Sequence, residues 1–244
     1  MIEHHIDLPT ADGAMNTFVV HPDEGGPHPV VLFYMDAPGK REELHNMARR
    51  IAAVGYCVVL PNLYHRVSKD FWLKERTEAA MAHMFSLMAT LNQASTECDT
   101  RAMLQYIDAL PAADASRIGA VGYCMSGPFV MWAAAAFPDR LRCIASIYGA
   151  NMVTDKPNSP HRIAAQVRCE SYFACAEIDK WAPPADVAQL QAALDAADAP
   201  HRLEWYPGVE HGFAFPLRAG IYNQAAAERH WVRLFDLFRR NLQS

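Results

Sequence analysis

No stretch of this 244-residue chain approaches the roughly 20 consecutive apolar residues of a membrane-spanning helix, so no membrane partner is expected. Runs of lysine or arginine are missing too. The 22 basic and 27 acidic residues are interspersed and leave a net charge of −5, so nothing traces a phosphate backbone and nucleic acid is not an expected partner. The opening MIEHHIDLPTADGAMNTF has neither the basic start nor the apolar stretch of a signal peptide, and the expected location is cytoplasmic. There is no P-loop and no cluster with zinc-ligand spacing, so no metal, nucleotide or other cofactor is expected. Cysteine is sparse, with six residues and no C-x-x-C pair, which argues against a disulfide framework. Cys57, Cys98, Cys143, Cys169 and Cys175 lie mostly in apolar, strand-like or helical runs, where a free thiol acts as a small hydrophobe. Cys124 has different surroundings.

What is present is a chain that is 51% apolar, enough for a full core without staples, and without repeats or low-complexity segments. Short β-rich runs alternate with helical patterns. Strands are expected at 15–22, 28–35, 56–62, 117–123, 142–149, 167–176 and 201–208. Helices are expected at 41–55, closed by Gly55, across much of 69–110, and at 127–138, 182–197 and 224–241. Within 69–110, the run STECDTRAMLQYIDAL begins at a capping serine or threonine. The alternation predicts a single α/β domain over 1–244, with a mostly parallel sheet covered by helices on both faces. In such sheets chemistry collects where strands end and helices begin.

The stretch RIGAVGYCMSGPFVMWAAAA is strand, tight turn and helix. A nucleophile at such an elbow needs small residues two positions before and after it, because the turn presses those backbones against their neighbours. Centred on Cys124 these are Gly122 and Ser126; centred on Ser126 they are Cys124 and Pro128, whose ring is bulky at the crowded contact. Cys124 is therefore the expected nucleophile, at a helix N-terminus that favours a thiolate. A buried structural cysteine is the plainer alternative.

In an α/β-hydrolase the acid and then the histidine follow the nucleophile in the chain. The carboxylates past the next suitable strand are Glu177 and Asp179, and Asp179, deeper in the loop, is preferred. Among the later histidines, His201 opens a strand at the wrong end of the sheet and His230 sits within a helix. His211, in YPGVEHGFAFP, follows a strand in a glycine-flanked loop and has the right place in the order. The oxyanion hole is expected from the backbone amides of Met125 and of Ala37, in YMDAPGKREEL. Asp36 either caps that turn or faces the thiol.

GYCMSG, AEID followed by proline, EHGFAF and MDAPG together resemble the dienelactone hydrolase family, a branch of the α/β-hydrolases with a cysteine nucleophile, and their spacing spans nearly the whole chain. The resemblance implies an α/β-hydrolase fold, a Cys124–Asp179–His211 triad, and Met125 and Ala37 as oxyanion donors. Family members acting on dienelactone carry glutamate where Asp36 stands, holding the resting thiol. They also carry an arginine just after the histidine motif, for the substrate carboxylate. This chain has Phe215 there and Arg218 three residues later. The expected substrate is thus a more apolar ester or lactone, met by a pocket of Tyr148, Trp181, Phe213 and Phe215. A monomer or homodimer is expected. The competing reading is a non-hydrolytic ligand-binding or redox-sensing scaffold in which Cys124 is a thiol of low pKa.

Overall fold

The N-terminal segment is the first departure from this pattern. In the computed structural model, which describes residues 1–243, Ile2–Thr10 forms a strand, β1, paired antiparallel with β2, Gly13–His21, in register from Ile2↔His21 to Thr10↔Gly13. The hairpin turns at Gly13, with φ +119°, and Thr10 caps it by donating its hydroxyl to the Gly13 carbonyl at 2.8 Å. β1 buries only Leu8, so apolar content gave no sign of it.

The chain divides into two compact units, Met1–Ile118 and Gly119 onward. In the first, β3 (His28–Tyr34) and β4 (Cys57–Pro61) are wholly buried and pair in parallel, while β2 pairs antiparallel with β4. The strand order is β1-β2-β4-β3-β5, with β5 at Ala113–Tyr123 crossing the boundary between the units. Helix α1, Glu42–Ala52, buries Leu44, Met47, Ala48 and Ile51 at helical spacing, with glutamates in its first turn and arginines in its last, where they complement the dipole. The region expected to be broadly helical contains two helices, α2 (Glu78–Met88) and α3 (Gln93–Ala109). α3 starts earlier than expected, because Asn92 and Ser95 form a reciprocal capping box.

The second unit continues as α4 (Gly127–Ala136), β6 (Leu141–Ile147), β7 (Glu170–Ile178), α5 (Pro184–Ala196), β8 (His201–Glu210) and α6 (Gln224–Leu242). Its strand order is β5-β6-β7-β8, and β6, β7 and β8 pair in parallel. β7 starts three residues later than its apolar run, which is preceded by a 3₁₀ segment at Pro160–Gln166. The sheet is mostly parallel, as expected. Strands β5, β7 and β8 end at Tyr123, Ile178 and Glu210; the next residues are Cys124, Asp179 and His211.

Candidate active site

The turn after β5 is shaped by its small residues. Cys124 adopts φ +57°, an uncommon conformation for a residue with a side chain, and is partly exposed, whereas Ser126 is fully buried. A Cβ at position 122 would run into the carbonyl of Ser126, so only glycine lets the chain fold back there. At position 127 a Cβ would sit 2.5 Å from Gly149 Cα and 2.7 Å from Ser146 Oγ, so a second glycine lets the start of α4 lie against the loop after β6. The Ala150 amide donates to the Cys124 carbonyl at 2.9 Å and ties the turn to that loop. Met125 follows in a short 3₁₀ turn that leads into α4.

Asp179 is 7% exposed. One oxygen accepts from the amides of Trp181 (2.8 Å) and Ala182 (3.3 Å); the other lies 2.7 Å from His211 Nδ1. Glu177 is exposed and accepts instead from the Gly208 amide at 2.6 Å. Burial alone lowers the basicity of His211. The Asp179 hydrogen bond and then the neighbouring Cys124 thiol outweigh it and bring the pKa up to about 9. His211 Nε2 is buried and makes no well-formed hydrogen bond, and the Cys124 side chain is the neighbour that, after Asp179, raises the basicity of the ring.

The four residues expected in a substrate pocket separate. Tyr148 is 1% exposed and meets the His211 ring edge-on at 5.1 Å. It borders a small, mostly apolar cleft with Gly149, Met152, Ala182, Val187 and Leu190. Trp181 is exposed, with the Lys180 ammonium over its ring. Phe213 and Phe215 have no exposed surface: Phe213 stacks on Tyr206 at 4.9 Å, and Phe215 packs on Tyr123 at 5.4 Å. These two rings anchor the His211 loop in the core, and the expectation that they line a pocket is corrected accordingly. His230 is also buried: Nδ1 lies 2.5 Å from the Ala227 carbonyl, which fixes a proton there, and Nε2 accepts from Tyr123 at 3.1 Å. Tyr123 directly precedes Cys124, a support that sequence pattern did not reveal.

In the first unit both oxygens of Asp36 are on Arg41, at 2.5 and 3.2 Å, and Arg41 also binds Glu43 at 2.6 Å. The spacing of these charges in DAPGKREE was the available clue. Ala37 is 3% exposed, and its carbonyl accepts from the buried Tyr64 hydroxyl at 2.8 Å. Among the described residues no cluster of three or more His, Cys, Asp and Glu could hold a metal, and no helix is long and apolar enough to cross a membrane.

The chain is similar to several known proteins. A candidate carboxymethylenebutenolidase from Synechocystis sp. is 26% identical over 244 residues, covering 98% of this chain and 96% of that protein. The carboxymethylenebutenolidase of Rhodococcus opacus is 26% identical over 231 residues, covering 90% and 84%. Among solved structures, a candidate dienelactone hydrolase from Klebsiella pneumoniae superposes with TM-score 0.86 at 24% identity, covering 97% of this chain and 98% of that one. A dienelactone hydrolase-like promiscuous phosphotriesterase from metagenomic libraries gives TM-score 0.81 at 16% identity, covering 98% of each. The superpositions establish the α/β-hydrolase fold, and the profile of the dienelactone hydrolase family matches residues 15–242, so this chain belongs to that family.

Proposed function

We propose that this chain hydrolyses an ester or lactone through Cys124, His211 and Asp179, by way of a thioester on Cys124. The observation that carries the proposal is the succession of three strand ends by a left-handed cysteine, a buried aspartate and a histidine, with the last two hydrogen-bonded. The names of the relatives point to lactones, and family membership supports a hydrolase.

In the proposed cycle the Cys124 sulfur attacks the acyl carbon, and the carbonyl π electrons move onto oxygen. The Met125 amide, in the helix-leading turn, donates to that oxyanion. The second donor, Ala37 in the first unit, is proposed on its motif alone. His211, protonated at neutral pH with a pKa of about 9, gives its proton to the leaving alkoxide as the acyl–oxygen bond breaks. The neutral ring then takes a proton from water, whose oxygen attacks the thioester, and the carbon–sulfur bond breaks to return the thiolate. Asp179 holds the Nδ1 proton and fixes the ring throughout. A thiolate is a much easier leaving group than an amide nitrogen, so esters of acidic alcohols and enol-lactones should react best. Tyr148 and Trp181 are the proposed apolar contacts for the acyl or alcohol group.

The test is turnover of p-nitrophenyl acetate together with mass spectrometry of the quenched enzyme. Wild type should show an acyl adduct on the peptide bearing Cys124, and Cys124→Ala should lose both adduct and turnover. Turnover retained in the alanine variant overturns the proposal.

A further inference from the structure

Arg218 is the arginine nearest in sequence to the histidine motif, and one arm of its guanidinium is bonded to main chain. Its Nη1 donates to the His211 carbonyl at 3.1 Å. The guanidinium occupies the space that a Cβ on Gly212 would need, and Gly212 has φ +95°. Residue 212 must therefore be glycine twice over, for its backbone and for the arginine lying on it. The main chain of Arg218 is equally engaged: its amide donates to Phe215 at 3.1 Å, and its carbonyl accepts from Ile221 and Tyr222 at 3.0 and 2.9 Å. Its Nε is buried without a partner, a cost the loop bears to keep the side chain inward.

The consequence lies in how His211 is held. Asp179 holds the ring at Nδ1, the backbone amide reaches the Ile178 carbonyl at a long 3.3 Å, and the next residue is a glycine with no side chain to restrain it. The Arg218 bond to the His211 carbonyl is the remaining hydrogen bond on that backbone, and it closes a ring over residues 211–218. Phe213 and Phe215 anchor the inside of the same ring in the core.

We infer that Arg218 is a positioning residue that braces the main chain of His211, and that it does not serve as a ligand for a carboxylate on the substrate. The inference rests on the proposed role of His211.

The experiment compares wild type, Arg218→Met and Arg218→Lys on two acetate esters, phenyl acetate and 4-acetoxybenzoate, of which only the second carries a carboxylate. A brace predicts that Arg218→Met lowers kcat for both esters by a similar factor, roughly 10 to 100-fold as for small misplacements of a catalytic group, with KM little changed. Lysine retains one donor within reach and should restore part of kcat. The second readout is the titration of His211 in the resting enzyme by NMR. Simple removal of a positive charge would raise its pKa; loosening the ring from Asp179 would lower it from about 9 toward the ordinary value, and a lowering is expected.

A rise in KM confined to 4-acetoxybenzoate, with kcat intact, would make Arg218 a substrate ligand and overturn the inference. So would an unchanged kcat and an unchanged titration. If wild type turns over neither ester, the proposed function fails, while the His211 titration still decides whether Arg218 braces the ring. Should Arg218→Met lose its thermal transition, Arg218→Lys, which keeps charge and length, decides by the same two measurements.

Discussion

Asp179 and His211, 32 residues apart in the chain, meet at 2.7 Å where two neighbouring parallel strands end. The contact raises the basicity of the imidazole against the opposing effect of burial. In the proposed cycle acylation needs a protonated His211 for the leaving group, so kcat/KM should fall as pH rises through about 9. Asp179→Asn removes the first of the raising influences and should move this alkaline limb to lower pH, with kcat down roughly 10²- to 10⁴-fold. A pH–rate profile of both proteins is the check, and an unmoved limb would detach Asp179 from the titration.

The same pKa has a sign for stability. A histidine whose folded pKa exceeds its unfolded value stabilises fully below the unfolded value of about 6.5, and that stability drains away as pH rises through about 9. His5, His28 and His45 are shifted the other way, chiefly by burial, so their contribution is lost only as pH falls through their lowered values. Between pH 7 and 8.5 the urea midpoint should therefore decline, and the decline should flatten in His211→Gln.

Replacement of Cys124 by serine should leave far less turnover than wild type. The hydroxyl is a much weaker acid than a thiol and depends on His211 to take its proton, in a variant that has also lost the thiol's share in raising the basicity of that ring. Steady-state rates with an activated ester at pH 7.5 and pH 9.5 measure this. The serine variant should gain more than wild type from the higher pH.

Gly122→Ala places a methyl group against the Ser126 carbonyl, which is backbone and cannot swing aside. The expected cost is about 1–3 kcal/mol, with the turn displaced and turnover lost. Thermal unfolding and rate should fall together. Gly13, at the exposed N-terminal turn, has open space around a built Cβ but φ +119°, so Gly13→Ala should cost some stability and leave turnover unchanged.

Arg41→Met removes a cation shared by two buried carboxylates, Asp36 and Glu43. Breaking a buried pair in this way costs about 3–5 kcal/mol, well above the value of a surface ion pair. Chemical denaturation of the variant checks it.

The strands that are buried on both faces, such as β3 and β4, were legible because an unbroken apolar run has few other uses. β1 was not, because an edge strand with one buried residue is stabilised by its partner β2 and not by its own composition. Phe213 and Phe215 were assigned to a pocket because an aromatic beside a catalytic motif looks the same in sequence whether it faces a substrate or the core. Tyr206, Tyr123 and Tyr148, which receive them, come from other segments.

The preference for Cys124 over Ser126 as the proposed nucleophile rests on ten residues, since the demand for small neighbours at an elbow is a clash between atoms four positions apart. The carboxylate was a different problem. Glu177 and Asp179 are two residues apart, one full strand period, so periodicity cannot separate them. The register shift where β7 meets β8 ends the strand at Ile178, sends Asp179 toward His211 and leaves Glu177 on the Gly208 amide. The proposed nucleophile is a local matter of backbone sterics, while the carboxylate that meets His211 and the arginine on its loop are decided by how separate strands and loops pack side by side.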